Sequence, residues 1–372
     1  MPPSSPRAKR LAASELLRDS LRAARAAGVR YVCSTEPGVR RRRMGGRFYY
    51  VTEAGQRVTK PGQLSRIASL AIPPAWQNVW ICSDPAGHIQ ATGIDARGRK
   101  QYRYHPAWRK VRDQAKYADV IAFGHALPRL RERVARDLAR RGLDRNKVLA
   151  TVIALMQQTG IRVGNDEYAA SNGSYGLTTL EHRHVRVRGQ RIVFNFRGKG
   201  GKSHLIEVRD RKLSRIVKAS LGIPGRRLFQ YLDERARYRP VSAQDVNRYL
   251  REATGHAFTA KEFRTWQGTL RAALQLCACE RTATQSAAKR ALKTAIEAAS
   301  LHLGNTAAIC RKSYVHPAIF DAFLDGSLQT ALSAQLARAQ RRALAGHTPE
   351  EWAVLAFLTR HGLSDSRLAL CA

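Results

Sequence analysis

The spacing of apolar residues changes more than once along the chain, and each change predicts a different kind of element. Up to about Arg112 the apolar residues fall in short runs: Tyr31 to Cys33, Arg47 to Val51, Val79 to Cys82, His88 to Ala91 and Lys100 to Tyr104. Gly, Pro and Asp separate these runs, which predicts short strands. Gln63 to Leu70 reads as a short helix ending before Ile72, Pro73 and Pro74. Beyond Arg112 the helical period takes over. Leu127 and Pro128 open one predicted helix, with Leu130, Val134 and Leu138 on one face and Gly142 after it. Asp144 is placed to cap the next, whose apolar positions run from Val148 to Met156 and which stops at Gly160. Strict alternation returns from Arg183 to Arg209 and predicts a three-stranded meander. Its turns fall at Gly189-Gln190 and at the glycine-rich stretch from Gly198 to Gly201. Helical spacing resumes at Leu213 and breaks at Pro224-Gly225. It then predicts helices over Val241–Ala253, from Lys261 through Leu276, over Thr282–Leu303 with Gly304 as the stop, and two more after Gly326.

This order predicts an α+β chain in four parts. Residues 1–27 begin Pro- and Ser-rich and continue as a basic arm. Residues 28–112 form a small β-rich N-terminal domain, and residues 113–325 a larger, mainly helical domain containing the three-stranded sheet. Residues 326–372 form a helical extension rich in Ala, Leu and Arg. No internal repeat is evident.

Composition narrows the function. The chain has 372 residues with a hydrophobic fraction of 44%, enough for two or three ordinary cores. Lys and Arg number 65 against 28 Asp and Glu, a formal net charge of +37, spread along most of the chain. Such an excess calls for a polyanionic partner, most commonly nucleic acid. A membrane surface is the rival, but no apolar run nears the roughly 18 residues of a spanning helix, and there is no signal peptide with an apolar core. The expected setting is therefore the cytoplasm, beside the nucleoid. None of the 6 cysteines stands in a C-x-x-C pair, and Cys277 and Cys279 are too close for a usual zinc clip, so reduced structural thiols are expected. His182 and His184 lie in a strand-like basic run without carboxylates or thiolates to complete a metal site. No metal and no cofactor is expected.

The candidate chemistry centres on Asn305 to Tyr314, which ends in a tyrosine directly after Arg311, Lys312 and Ser313. A phenol titrates near about pH 10 in the absence of neighbours. Adjacent cations favour the phenolate and can activate it towards a phosphate. A lone tyrosine among basic residues is more often an amphipathic surface or half-buried core residue; its company decides. Arg162 sits among apolar residues and glycines just beyond a buried helix, and Arg264 lies at the edge of another core. A buried arginine must meet an anion, either a structural carboxylate or a ligand. Lys199 occupies the glycine-rich hairpin tip, where it is either turn decoration or a mobile general acid. Asn305 offers a neutral donor. Attack on a phosphodiester needs a nucleophile, donors for the non-bridging oxygens and an acid for the leaving oxygen, and Tyr314, Arg162, Arg264, Asn305 and Lys199 could supply them. In the N-terminal part, Arg40 to Arg43 read as a basic loop cluster suited to phosphates or to solvent. Gly98 to His105 mixes basic, amide and aromatic groups that could read base edges or simply fill a core.

Several segments together carry a resemblance: Gly98–His105, Thr159–Gly164, Asn172–Thr179, Phe196–His204, Lys261–Thr265 and Asn305–Pro317. In them the chain resembles the DNA topoisomerase IB family, in its compact bacterial and poxvirus-like form, from about residue 28 to residue 325. The resemblance implies a two-domain clamp around double-stranded DNA and a monomer that relaxes supercoils without ATP or metal. It implies that Tyr314 attacks the scissile phosphate to form a 3′-phosphotyrosyl link. Arg162, Arg264 and Asn305 would stabilise the transition state and Lys199 would protonate the 5′-oxygen. Gln101, Tyr102 and Tyr104 match family DNA-contact positions, and Arg99, Lys100, Lys202 and His204 are candidate DNA contacts in the same segments. The poxvirus-like members carry His where this chain has Asn305; an amide cannot ionise and can only donate a neutral hydrogen bond. Residues near Asp166 to Tyr168 also differ from the poxvirus type, which bears on sequence selectivity. Two rivals remain. A tyrosine recombinase would share the Arg, Lys, Arg, Tyr set but normally carries His three residues before the second Arg, where this chain has Lys261. A DNA-compacting architectural protein would bind DNA with strong salt dependence and form no covalent adduct.

Overall fold

The computed structural model describes residues 20–279, 284–342, 344 and 346–361. Most of the expected basic arm, the start of the helix expected from Thr282, and Cys371 lie outside these residues. The chain divides into two compact units, Met1–Ala118 and Asp119–Ala372.

Within the described residues the first unit begins with helix α1 (Ser20–Ala26) and is built on a five-stranded antiparallel sheet. Its elements are β1 (Gly38–Met44), β2 (Arg47–Val51), α2 (Pro61–Ser69), β3 (Gln77–Cys82), β4 (Ile89–Ile94) and β5 (Lys100–Tyr104), in the sheet order β2-β1-β3-β4-β5. Val39, Val79, Ile81 and Ala91 from the sheet pack with Ile67 from α2. Two expectations change here. Arg40 to Arg43 lie within β1 rather than a loop, because they pair in register with β2, Arg41 opposite Tyr50 and Arg43 opposite Phe48. The Arg41 guanidinium lies 4.3 Å from the centre of the Phe48 ring and donates to the Trp76 carbonyl (2.5 Å), so it serves the fold. Tyr31 to Cys33 are not a strand. The Val32 amide donates to His88 Nδ1 (3.0 Å) instead of a ladder partner, and Tyr31 stacks on the His88 ring at 4.3 Å.

The boundary between the units falls inside α3 (Pro106–Leu138). Pro128, expected to open a helix, lies within this 33-residue one. A proline there leaves the carbonyl four residues earlier without its amide partner; His347 Nε2 lies 2.8 Å from that Gly124 oxygen. Then follow α4 (Arg145–Thr159), α5 (Asp166–Asn172), and the antiparallel sheet β6 (Val185–Arg188), β7 (Arg191–Arg197) and β8 (Ser203–Arg209). Next come α6 (Arg211–Leu221), a short hairpin of β9 (Gln230–Leu232) and β10 (Tyr238–Pro240) that the apolar pattern did not reveal, and α7 (Ala243–Thr254). The chain continues through α8 (Ala260–Cys277), α9 (Gln285–Leu303), α10 (Ala307–Tyr314), α11 (Pro317–Leu324), α12 (Leu328–Gln340) and α13 (Pro349–His361). His182 to His184 form a single 3-10 turn rather than strand, because the Glu181 amide donates to His184 Nδ1 (3.0 Å) and curls the chain.

The core of the second unit forms around α4. Asp144 caps it, accepting from the Lys147 amide (2.8 Å), and every residue from Val148 to Met156 is buried. The inward positions of the meander, Ile192, Phe194, Phe196 and Val208, close one side of this core. Helices α12 and α13 pack on each other and on α8. Arg131 of α3 holds α13 through a two-pronged bond to Glu351 (2.6 and 2.7 Å). Among the described residues no helix is long and apolar enough to cross a membrane.

Candidate active site

The site is assembled from the ends of helices. Helix α4 stops at Gly160, which takes φ +63 as its cap, and the chain runs on through Arg162. That segment is held from the side by Gly176 to Thr178: the Leu177 amide donates to Arg162 O (2.9 Å) and the Thr178 amide to Val163 O (2.7 Å). Gly176 is required for this approach, since a Cβ there would lie 2.5 Å from Arg162 O. Helix α8 brings Arg264. Its start is fixed by Thr259 and Glu262, which cap each other's amides as a capping box. Arg264 is only 5% exposed. It donates from Nη1 to Gly160 O and from Nη2 to Leu303 O (2.7 Å), so one guanidinium ties the ends of α4 and α9 together.

Helix α9 stops at Gly304 and the chain turns into Asn305, whose Oδ1 accepts from Arg162 Nη2. Lys202 Nζ donates to the Asn305 carbonyl (2.9 Å). Thr306 then caps α10 (3.3 Å to the Ile309 amide), whose final residue is Tyr314. The Arg264 guanidinium carbon lies 5.1 Å from the centre of the Tyr314 ring. The tyrosine backbone rests on α8: a Cβ at Gly268 would lie 2.4 Å from Tyr314 O. Next to it, the Thr269 hydroxyl stands 3.4 Å from the same oxygen and accepts from the His316 amide (3.0 Å). Lys199 is exposed in the turn between β7 and β8, and it lines one cavity with Arg162, Arg264, His204 and Tyr175.

Positive charge is concentrated here without compensation. Burial, then the neighbouring Arg264 guanidinium, pulls Arg162 down to about 10, and the Tyr314 oxygen opposes the shift. Burial also lowers Arg264, again against the Tyr314 oxygen. Both remain cations at neutral pH, and among the described residues no ion pair to a carboxylate serves either. Arg264 Nε and Asn305 Nδ2 are buried and have no hydrogen-bond partner. His302, beside them, is pushed down to about 4 by burial and by Arg271 and Arg264, so it is neutral. Two cations and two unspent donors around one opening make a receptor for an anion.

The five residues singled out in the sequence therefore meet in the second unit. Of the candidate DNA contacts, Lys202 and His204 lie beside them. The others belong to the first unit. Gln101 donates to Asp95 (2.8 Å) and Arg99 pairs with the same carboxylate (2.7 Å). Lys100 reaches Ser34 (2.7 Å), and Tyr102 stacks with Tyr104 at 5.7 Å. Sequence reasoning missed Gly268, Thr269, His302 and Tyr175. None of the four carried a signal in the sequence: α8 also holds the small pair Ala272-Ala273, so Gly268-Thr269 does not stand out.

Comparison with known proteins agrees with this geometry. A family model described as eukaryotic DNA topoisomerase I, catalytic core, matches residues 105–342, and one described as bacterial DNA topoisomerase IB, N-terminal domain, matches residues 47–95. The DNA topoisomerase 1B of Acanthamoeba polyphaga mimivirus is 32% identical over 286 residues, covering 75% of this chain and 85% of that protein. The chain belongs to the type IB DNA topoisomerase family. DNA topoisomerase 1B of Vaccinia virus (strain Copenhagen) and DNA topoisomerase I of Monkeypox virus are each 28% identical over 151 residues, 39% of this chain and 48% of theirs. As a type IB topoisomerase the chain is an enzyme, and the N-terminal match falls on the β-rich unit while the catalytic-core match contains Arg162, Lys199, Arg264, Asn305 and Tyr314.

Proposed function

We propose that this enzyme relaxes supercoiled duplex DNA through a transient single-strand break. The observation that carries the reading is the half-buried Tyr314 phenol beside two arginines and two unspent buried donors, Arg264 Nε and Asn305 Nδ2. The Tyr314 oxygen attacks the scissile phosphorus as its own proton passes to water. A phenolic O–P bond forms, the P–O5′ bond breaks and the 3′ end stays on the enzyme as a phosphotyrosine. Arg162, Arg264 and Asn305 meet the non-bridging oxygens, where each prepaid donor contributes on the order of 10²–10³ in rate. The Lys199 ammonium gives its proton to the departing 5′-oxygen. The freed strand rotates about the intact one, and reversal of the same step reseals it. The ester is conserved in the phosphotyrosine, so no ATP is consumed. Two guanidiniums and an ammonium supply the charge that a metal would otherwise bring, and the Asn305 amide adds a neutral donor. We further assign Gln101, Tyr102, Tyr104, Arg99, Lys100 and Lys202 to the DNA interface. The enzyme acts as a monomer in a bacterial cytoplasm, at the nucleoid, and its charge of +37 supports that placement.

The test is relaxation of a supercoiled plasmid that contains no recombination site, followed by trapping with SDS. The wild type is expected to relax the plasmid and leave a covalent adduct that maps to Tyr314. Tyr314→Phe is expected to bind DNA and leave none. An adduct surviving in Tyr314→Phe would assign the nucleophile elsewhere.

A further inference from the structure

His204 lies in β8 directly opposite Phe196 of β7. The two rings stack with centroids 5.0 Å apart and planes 12° from parallel. The edge of the imidazole then meets two glycines from different elements. A Cβ at Gly198, which opens the Lys199 turn, would lie 2.5 Å from His204 Nε2. A Cβ at Gly304, which precedes Asn305, would lie 2.3 Å from His204 Cε1. The ring occupies the room that two absent side chains leave, between the turn carrying Lys199 and the turn carrying Asn305. Gly304 is fixed as the cap of α9 at φ +60, so it forms a firm wall. The Lys199 turn is closed by the Gly198 amide on Lys202 O (2.7 Å) and bound to the Asn305 carbonyl by Lys202 Nζ (2.9 Å). Lys199 itself is exposed, so its neighbours set its position.

We propose that His204 is a positioning residue whose ring, wedged between Gly198 and Gly304, sets the Lys199 turn against Asn305 and so aims the ammonium at the leaving oxygen. The last step rests on the reading of Lys199 as the general acid; the wedge itself does not. Burial, followed by Arg162, Arg264 and Lys202, lowers the His204 pKa from its ordinary value, so the ring acts as a neutral plate.

The test compares wild type, His204→Ala, His204→Phe and Lys199→Ala. Cleavage is measured in a single turnover on a duplex with an ordinary 5′-oxygen and on one with a 5′-bridging phosphorothiolate, whose sulfur leaves without an acid. Amide hydrogen exchange over residues 198–202 is followed in parallel on each folded protein. His204→Ala is expected to cleave the oxygen substrate about 10²-fold more slowly, the cost of a misplaced group, and the sulfur substrate near the wild-type rate. Exchange in the turn is expected to rise. His204→Phe, which keeps a plate of similar shape, is expected to restore both. Unchanged exchange in His204→Ala, or equal slowing on both substrates while Lys199→Ala recovers on sulfur, overturns the inference. So does a slow His204→Phe with a protected turn, because the ring nitrogens would then be what counts. If Lys199→Ala fails to recover on sulfur while His204→Ala loosens the turn, the acid assignment falls and the wedge stands.

Discussion

At the scale of single residues, the positions that act and the positions that hold are of different kinds. Tyr314, Arg162, Arg264, Lys199 and Asn305 are chemically loud, and their types and surroundings point to phosphate chemistry before any fold is known. Gly268 is silent in sequence, yet it supports the proposed nucleophile: the Tyr314 carbonyl occupies the space of its missing side chain. Gly268→Ala is expected to push α10 off α8. It should slow adduct formation by about 10²-fold, because a displacement of about an ångström misaligns attack. Noncovalent DNA binding, followed by gel shift, should stay near wild type. A normal rate of adduct formation in this variant would show that the contact relaxes without consequence. The Asn305 amide is likewise set by a neighbour: Arg162 donates to its Oδ1 and leaves the buried Nδ2 as an unpartnered donor. Asn305→Asp replaces that donor with a charge facing phosphate. Its adduct formation is expected to fall more than that of Asn305→Ala, and the reverse order would argue against phosphate contact at this position.

At the scale of elements, most helices announced themselves through caps and stops, as Asp144, Gly160 and Gly304 do. Two of the failures share one cause, a local rule outvoted by a distant partner. Pro128 passes through α3 because His347 approaches the Gly124 carbonyl. Tyr31 to Cys33 leave the sheet because His88 takes the Val32 amide. Helix α13 belongs to the second unit partly through Arg131 and Glu351, the latter only 6% exposed. Burial works to raise the Glu351 carboxyl, but the bonds from Arg131 and the Thr348 amide outweigh it and leave it below its ordinary value of 4.5. A depressed carboxylate contributes stability above its unfolded pKa, and that contribution is lost as pH falls through the folded one. Thermal melts from neutral pH downward are therefore expected to show wild-type stability dropping below pH 4.5. Glu351→Gln is expected to be about 3 kcal/mol less stable at neutral pH, since it strands Arg131, and to lose that part of the acid slope. An identical acid slope in both proteins would remove this pair as its source.

At the scale of the whole molecule, the charge of +37 sets the partner and the conditions. Neutralising several phosphates releases their counterions, so DNA affinity is expected to fall by about 10³ or more between 50 and 200 mM salt, with Tyr314→Phe showing the same slope. A shallow slope would mean that few phosphates are met. Arg162, Arg264 and Lys199 line one cavity and bring positive charge to it, so relaxation is expected to persist in excess EDTA. Loss of activity there, restored by a divalent cation, would require a metal in the cycle. Charge, α+β order and the candidate reacting groups were legible in the sequence alone, because apolar period, capping residues and side-chain chemistry are local properties. Their convergence was decided only by the tertiary structure. Arg264 joins the ends of α4 and α9, Gly176 admits the Arg162 backbone, and Gly268 and His204 pack against Tyr314 and Gly304, which lie far away along the chain. Those fits depend on close approach between distant segments, and a glycine's missing side chain carries no signal until another residue is found in its place.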